Sequence, residues 1–204
     1  EGHRHTYGWA NFQKVYFVAE FSKPFDSFEP IGEDNFYYRL NFKTAEGEQI
    51  GVKVALSSTS IEGARKNFDA EVKDAEFDAV RKEAYNKWND EIRKIRIEGA
   101  TPEQEEIFYT AMYHMYVAPS LFSDVDGTYR GADQEIHANP GHDAYTTFSL
   151  WDTYRAKLPL MTITHPERMD DVINTMINLC DEQGFLPIWH LWGWDNGCMV
   201  GSPG

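Results

Sequence analysis

The sequence of 204 residues has little positive charge: 19 lysines and arginines stand against 33 aspartates and glutamates, which gives a net charge of −14. Proteins that bind nucleic acids need a basic face to neutralise phosphates, so this balance argues against a nucleic-acid partner. An anionic membrane surface is an equally poor match. The acidic balance is compatible with solubility and with a neutral substrate.

Cysteines and long apolar runs are also scarce. The two cysteines, Cys180 and Cys198, are compatible with a disulfide or with free thiols, and with a secreted or a cytosolic protein. No apolar run approaches the length of a membrane span, and the polar opening EGHRHTYG is not a signal peptide. The sequence also lacks a phosphate-binding loop and a nucleophile elbow.

Aromatic residues are abundant. They make up 15% of the chain, with 6 tryptophans and 11 tyrosines. Sugar-binding proteins use such rings for stacking, but large cores use them too, so both uses remain open at this point. The hydrophobic fraction of 42% is sufficient for a core.

The first 60 residues predict antiparallel β structure. The segment at 15–21, VYFVAEF, is rich in β-branched and aromatic residues. Apolar residues alternate with small or charged ones from Ile50 to Leu56, which predicts a half-buried strand with Val52 and Val54 inward. Turn signals recur at short intervals, which favours an antiparallel sandwich.

After residue 60 the apolar period becomes helical. Residues 61–74 predict a short helix or connector, and 77–95 predict an amphipathic helix with one buried stripe. The capping-box residues Thr101 and Gln104 open a further helix. Strands first and helices second indicate two domains rather than a parallel α/β sheet.

The second half of the sequence alternates between an irregular segment and helices. Residues 119–144 form a long irregular segment, and ordered loops of that length usually carry function. A helix is predicted over 147–158, and another is predicted with Thr164 as its cap and Gly184 as its end.

The best candidate for chemistry is the stretch 145–160, YTTFSLWDTYRAKLPL. On the predicted helix, Asp152 and Arg155 lie on neighbouring turns of one face, close to Trp151. An indole can cover the apolar face of a pyranose, while the charged groups form hydrogen bonds with its hydroxyls. A buried helix with a structural Asp–Arg ion pair is the alternative interpretation.

The tail is a second candidate. Trp189, His190, Trp192, Trp194 and Asp195 lie within seven residues, a density of indoles that suits a sugar subsite. Indoles would also desolvate the Asp195 carboxylate and favour its protonated form, as in the acid of a glycosidase. The alternative is a hydrophobic junction between a helix and a loop.

Two further patterns are weaker. Asp124, Asp126 and Gly127 resemble the opening of a calcium loop, but the later ligands are missing, so a turn with an aspartate hydrogen bond is favoured. His137 and His142 are five residues apart, and histidines in such loops are more often not metal ligands.

Several segments together resemble glycoside hydrolase family 92, the bacterial α-mannosidases. They are VYFVAEFSKPF, ALSSTSIEGARKN, FYTAMYH, DVDGTYRG, FSLWDTYRA and LPIWHLWG…CMVG, in this order over essentially the whole chain. The resemblance implies a multi-domain β + α fold, an antiparallel β-sandwich followed by an α/α toroid. Residues 1–60 would be the C-terminal part of the sandwich, 61–98 a helical linker, and 99–204 the first part of the toroid.

The resemblance also implies an activity. It is exo-acting, calcium-dependent hydrolysis of terminal α-mannosides in mannose-containing glycans such as N-glycans, with inversion, an α-1,2 preference and a periplasmic or secreted location. Inversion uses a carboxylic acid on the leaving oxygen and a carboxylate that activates water. Calcium is expected to grip the mannose hydroxyls. The acid, the base and the calcium ligands are expected beyond residue 204.

The family motif carries over to Trp151, Asp152 and Arg155 as substrate-binding residues, and Trp189, His190 and Trp194 join them from the tail. Asp195 is the best catalytic candidate in the chain, although the family usually has Glu-Thr where Asp195 and Asn196 stand and a small or polar residue in place of Trp194.

We expect a fragment of a longer protein, because the sequence stops at Gly204 without a closing element, and we expect these residues alone to be inactive. A non-catalytic carbohydrate-binding protein, or an inactive fragment of such an enzyme, is the alternative. The sequence predicts no oligomeric state.

Overall fold

The computed structural model describes residues 1–33, 36–138 and 141–201. Strands fill the first region, as the sequence predicts: β1 (Gly2–Thr6), β2 (Gln13–Phe21), β3 (Ser27–Ile31), β4 (Tyr37–Asn41) and β5 (Val52–Ser57). An antiparallel sheet has the order β1-β2-β5, and β3 and β4 form a separate antiparallel hairpin. The prediction of antiparallel β structure before residue 60 is confirmed.

The buried face of β5 is the opposite of the one that its apolar alternation predicts. Ala55 and Ser57 are buried, whereas Val52, Val54 and Leu56 are between 50% and 54% exposed. The reason is the docking of helix α1 (Ile61–Glu71), which packs on β2 and β5 through a small core of Val18, Ala55, Ala64 and Phe68. Small side chains let a helix approach a sheet closely, so the alanine face is the one that is covered.

Helices α2 (Phe77–Ile92) and α3 (Pro102–Tyr116) follow. The capping box of Thr101 and Gln104 forms at the start of α3 as predicted. The buried stripe predicted for α2 is wrong, because every residue of α2 is exposed or only half-buried. Its contacts concentrate near its C-terminal end, where the ring centroids of Trp88 and Tyr113 lie 4.6 Å apart.

Short antiparallel strand pairs organise the region that the sequence predicts as irregular. The strands are β6 (Ser120–Leu121), β7 (Thr128–Arg130), β8 (Ile136–Ala138), β9 (Tyr145–Thr146), β10 (Phe148–Ser149) and β11 (Trp189–His190). β7 pairs with β8, β6 with β9, and β10 with β11. The last two pairings fold the chain back onto itself around the candidate site.

The single helix predicted over 147–158 is wrong. Thr147 has a φ of +70°, which a right-handed helix does not allow, and the next two residues form β10. A one-turn helix, α4 (Leu150–Thr153), follows, and after a turn α5 (Lys157–Thr164) begins. Strand pairing with β11, about 40 residues away in the sequence, overrides the local helical period.

Helix α6 (Pro166–Gln183) ends as predicted at Gly184, which has a left-handed φ of +86°. Its N-cap is His165 rather than Thr164, because Thr164 still belongs to α5. In the described part of the chain, none of the helices is long and apolar enough to cross a membrane. Cys180 and Cys198 are free thiols.

The main core lies between α6, α5 and the β10–α4 segment. Its buried members are Ala132, Phe148, Leu150, Met161, Met169, Val172 and Leu179. Phe148 and Leu150 flank Ser149, so the core fixes the backbone from which the candidate sugar-binding residues project.

Candidate functional site

The two stretches that the sequence singles out for sugar binding meet at the β10–β11 pair. Phe148 lies opposite His190, and Ser149 lies opposite Trp189. Helix α4 starts at the next residue, whose backbone N–H donates to the Ile188 carbonyl at 3.3 Å. The pairing therefore brings the segment that carries Trp151 and Asp152 to the aromatic tail, and strands rather than a long helix position that segment.

The charged groups of the first stretch bind separate neighbours. Both side chains are exposed: Ser149 Oγ donates to Asp152 Oδ2, and Arg155 Nε donates to the Tyr154 hydroxyl at 3.0 Å. Among the residues that the structure describes, Asp152 and Arg155 form no ion pair, and Arg155 lies beyond the end of α4. The alternative of a buried structural pair is therefore wrong, and both groups are free to meet a ligand.

Two buried nitrogens of the site have free hydrogen-bonding capacity. Within the described ranges, Trp151 Nε1 and His190 Nε2 are buried and have no hydrogen-bond partner. Burial lowers the pKa of His190 to about 3, so its imidazole is neutral at physiological pH. An indole N–H and a neutral imidazole suit uncharged hydroxyl groups, because buried polar groups generally have partners in their working state.

Asp195 organises the tail. Its Oδ2 accepts from the backbone N–H groups of Ile188 at 2.7 Å and Trp189 at 3.2 Å, and its Oδ1 accepts from Gly197 N–H at 2.7 Å. The side chain is buried, at 8% exposed. These bonds hold the loop 188–197 closed. The role of Asp195 as a catalytic acid stays a prediction.

Exposed aromatic residues from the β1–β2 connection extend the tail surface. The ring centroids of Trp9 and Trp189 are 4.6 Å apart, and those of Phe12 and Trp194 are 5.3 Å apart. Trp9 is 57% exposed. Sequence reasoning missed this contribution, and the only signal for it was the aromatic content of the segment YGWANF.

The DVDG segment forms a structural turn. Asp124 is buried: its Oδ2 accepts from Ser57 Oγ at 2.7 Å and Thr59 Oγ1 at 2.6 Å, and its Oδ1 accepts from Asn67 Nδ2 at 2.8 Å. Asp126 Oδ1 accepts from the backbone N–H of Thr128 at 3.1 Å, which confirms the predicted aspartate turn.

The neighbours of Asp126, His137 and His142 bear on whether these residues could bind a metal. Hydrogen bonds from Thr128 and Lys66 lower the pKa of Asp126 to about 2. His137 and His142 bind separate partners, Asp133 at 3.0 Å and Asn178 at 3.1 Å. In the described part of the chain, no group of three or more His, Cys, Asp or Glu side chains is arranged to hold a metal.

Comparison with known proteins gives a consistent set of matches. The sequence profile described as the glycosyl hydrolase family 92 catalytic domain matches residues 63–204. A solved family GH92 α-mannosidase from Bacteroides thetaiotaomicron is 33% identical with a TM-score of 0.87, over 96% of this chain and 29% of that chain. No curated protein matches the chain.

Two further solved structures are similar. The same α-mannosidase in complex with mannoimidazole is 33% identical with a TM-score of 0.88, over 96% of this chain and 28% of that chain. A family GH92 inverting mannosidase from Bacteroides thetaiotaomicron VPI-5482 is 30% identical with a TM-score of 0.84, over 97% of this chain and 29% of that chain. The chain thus spans less than a third of the length of these relatives.

Proposed function

The chain belongs to glycosyl hydrolase family 92, and from this premise we propose that it supplies part of the mannose site of a longer exo-acting α-mannosidase. The observation that carries the proposal is the β10–β11 pair, which joins Phe148 and Ser149, just before Trp151 and Asp152 in the sequence, to Trp189 and His190. A structural relative that binds mannoimidazole supports mannose-containing glycans as the substrate class.

Each side chain has a role in this proposal. Trp151 and Trp189 offer indole surfaces and N–H donors, and Trp194 extends that surface toward Phe12. Asp152 accepts hydrogen bonds from sugar hydroxyls, and Arg155 donates them. The neutral His190 imidazole adds an uncharged hydrogen-bonding group at the floor of the site.

The fold class enters the proposal at the level of domains. The sheet before residue 60 would be part of an antiparallel β-sandwich, residues 61–98 a helical linker, and 99–204 the beginning of an α/α toroid. The TM-score of 0.87 over 96% of the chain supports this arrangement.

The proposed reaction is hydrolysis with inversion, as the name of one relative states for that protein. It requires a carboxylic acid at the leaving oxygen and a carboxylate base on the opposite face, roughly 6.5–9.5 Å apart. Asp195 is the candidate acid within this chain, and its three backbone hydrogen bonds would have to loosen for it to transfer a proton. The base would come from residues outside this sequence.

Calcium enters the proposal as a cofactor whose ligands lie outside this sequence. The DVDG carboxylates do not fit a calcium site, because protein donors already occupy the oxygens of Asp124 and Lys66 pairs with Asp126 at 3.0 Å. When bound elsewhere, calcium would act as a Lewis acid on the mannose hydroxyls. An α-1,2 preference, a role in N-glycan degradation and a periplasmic or secreted location complete the proposal.

The decisive experiment follows the first product of the full-length protein by NMR. With an aryl α-mannoside and calcium, we expect β-mannose to appear before mutarotation, whereas the chain 1–204 alone should release no mannose. Initial release of the α-anomer, or activity only on other glycosides, would contradict the proposal.

A non-catalytic carbohydrate-binding protein is the second candidate. The hydrogen bonds from backbone N–H groups to the Asp195 carboxylate favour this alternative, because that carboxylate already has a structural role. Mannose binding by the full-length protein without any hydrolysis would support this alternative.

A further inference from the structure

We propose that Arg130 is a positioning residue that holds the tail of the mannose site, the loop 188–197, against the end of β5. The inference rests on the proposed function for its kinetic readout only. Its structural basis is a chain of hydrogen bonds that starts at Ser58 and Thr59 and ends at Gly193 in the tail.

The Arg130 guanidinium is buried and bonded entirely to the main chain. Its side chain donates from Nε to the Ser58 carbonyl at 2.9 Å, from one terminal nitrogen to the Thr59 carbonyl at 3.1 Å, and from the other to the Gln134 carbonyl at 2.7 Å. The residue is 6% exposed. A buried cation is unfavourable unless its donors are satisfied, and here the planar fork joins two chain segments that are distant in sequence.

The same turn holds the tail. Gln134 Nε2 donates to the Gly193 carbonyl at 2.5 Å. Gly193 has a φ of +75°, and a Cβ built on it would lie 3.2 Å from the Arg130 carbonyl oxygen. Glycine therefore favours this approach, since a side chain would be strained by the positive φ and crowded by the Arg130 carbonyl, and the tail turn lies directly against the Arg130 backbone.

The tail turn in turn fixes the candidate sugar-binding residues. The Leu191 N–H donates to the Trp194 carbonyl at 2.8 Å, and the Trp192 N–H donates to Thr146 Oγ1 at 2.7 Å. His190 and Trp189 precede this turn in β11. A displacement of the turn would therefore move the groups that we assign to the sugar, and small displacements in such sites have large kinetic effects.

Asn67 offers a matched control at the same junction. It braces the β5 end from the other side, donating to the Leu56 carbonyl at 2.8 Å and to Asp124 Oδ1 at 2.8 Å. Its side-chain bonds reach Leu56, Asp124 and Val125, which all lie outside the tail. Asn67→Ala should weaken the junction without releasing the tail.

The first test measures hydrogen–deuterium exchange of peptides covering 188–197 in the full-length protein, at a temperature where circular dichroism shows each variant to be folded. Exchange should be at least about tenfold faster in Arg130→Met, because the variant loses three hydrogen bonds and the loss of one alone changes an opening equilibrium by that order. It should be unchanged in Asn67→Ala. Equal acceleration in both variants, or none in Arg130→Met, would overturn the proposal.

The second test separates positioning from general stability by kinetics on an aryl α-mannoside. Arg130→Met should raise KM about tenfold or more with a smaller change in kcat, and Arg130→Lys should behave alike because an ammonium cannot reproduce the fork. Full recovery by the lysine variant, or the same KM shift in Asn67→Ala, would contradict positioning.

A gentler variant keeps the proposal testable if the Arg130 variants do not fold. Gln134→Asn tolerates the φ of +71° at this position but is too short for the Gly193 bond, so exchange of the tail should still rise severalfold. Unchanged exchange in this variant would count against the proposal. A wild-type protein that releases no mannose would refute the proposed function, while the exchange result would still decide the role of Arg130.

Discussion

Two aspartate–arginine pairs of this chain have opposite environments. Asp124 and Arg130 are buried, and protein donors and acceptors hold each of them at the end of β5. Asp152 and Arg155 are exposed, and their side-chain hydrogen bonds within the described residues go to Ser149 and Tyr154, at most three positions away in the sequence. In neither case does the structure show the two charges bonded to each other.

The difference separates charges that build the fold from charges that are available to a ligand. Removing a partner from a buried charge leaves unsatisfied groups, so Asp124 and Arg130 are restricted to their present geometry. Asp152 and Arg155 are exposed, and the segment that carries them also holds Trp151, whose buried Nε1 has no partner in the described part of the chain. Sequence spacing alone does not distinguish these environments.

The largest expected effect would come from the exposed pair. Asp152→Asn in the full-length protein should lower kcat/KM for an α-mannoside by about a hundredfold to a thousandfold, the range seen when one preorganised hydrogen-bonding group is lost. The thermal midpoint should stay nearly unchanged, because the side chain is exposed. Asp69→Asn, a change in another exposed aspartate with an ion pair to Lys73, is the control and should leave turnover unchanged. Normal turnover with a large loss of stability would show that Asp152 supports the fold and does not serve a ligand.

The buried pair should show the reverse pattern. Asp124→Ala should lower the free energy of unfolding by about 3 kcal/mol, because Ser57, Thr59 and Asn67 lose a shared acceptor in a buried site. Urea denaturation measures the change. Asp126→Ala, at an exposed turn position two residues away, should have a much smaller effect. Equal effects of the two substitutions would show that the Asp124 network contributes little.

Local signals in the sequence predicted part of the fold. The β-rich composition before residue 60, the Thr101 capping box and the Gly184 helix end were all confirmed, because each depends on neighbouring residues only. The prediction of a helix over 147–158 was wrong because a strand distant in sequence pairs with the first residues of that segment. The prediction of the buried face of β5 was wrong because the docking of α1 decides which face is covered.

The candidate site was predictable to the level of two stretches. Aromatic density and the resemblance identified Trp151 and Trp189, and the structure places their segments side by side. The contact of Trp9 with Trp189 was not predictable, because it depends on packing between segments distant in sequence. The bonds of Asp195 lie within one loop, but the aromatic residues around it indicated burial and gave no signal for the backbone N–H groups that it binds.

His190, the buried neutral group of the site, should make the stability of the protein depend on pH. Its folded pKa of about 3 lies below the unfolded value of roughly 6.5, so the unfolded state binds the proton first as the pH falls. Stability from this group is complete above about pH 6.5 and is lost toward pH 3, at about 1.4 kcal/mol per pH unit, or about 2 kcal/mol by pH 5.

Urea denaturation at pH 7 and pH 5 tests this expectation. His190→Gln should lose less stability than the wild type over that interval, whereas His3→Gln, a change at an exposed position of β1, should follow the wild type. If the free energy of unfolding falls by the same amount from pH 7 to pH 5 in the wild type and in His190→Gln, His190 is accessible to protons in the folded protein.

The smallest expected effect is the change in stability when Arg155, the exposed arginine, is replaced. Arg155 donates to the Tyr154 hydroxyl at 3.0 Å, and its guanidinium lies 5.3 Å from the centroid of the Tyr154 ring. Tyr154 is itself exposed, so both interactions are open to solvent. Arg155→Met should therefore change the free energy of unfolding by less than about 0.5 kcal/mol. The same substitution at Arg130 leaves the buried carbonyls of Ser58 and Thr59 and the half-buried carbonyl of Gln134 without this donor, and should be several times more destabilising. Parallel urea curves measure both, and a loss at Arg155 as large as that at Arg130 would show that Arg155 supports the fold rather than standing free for a ligand.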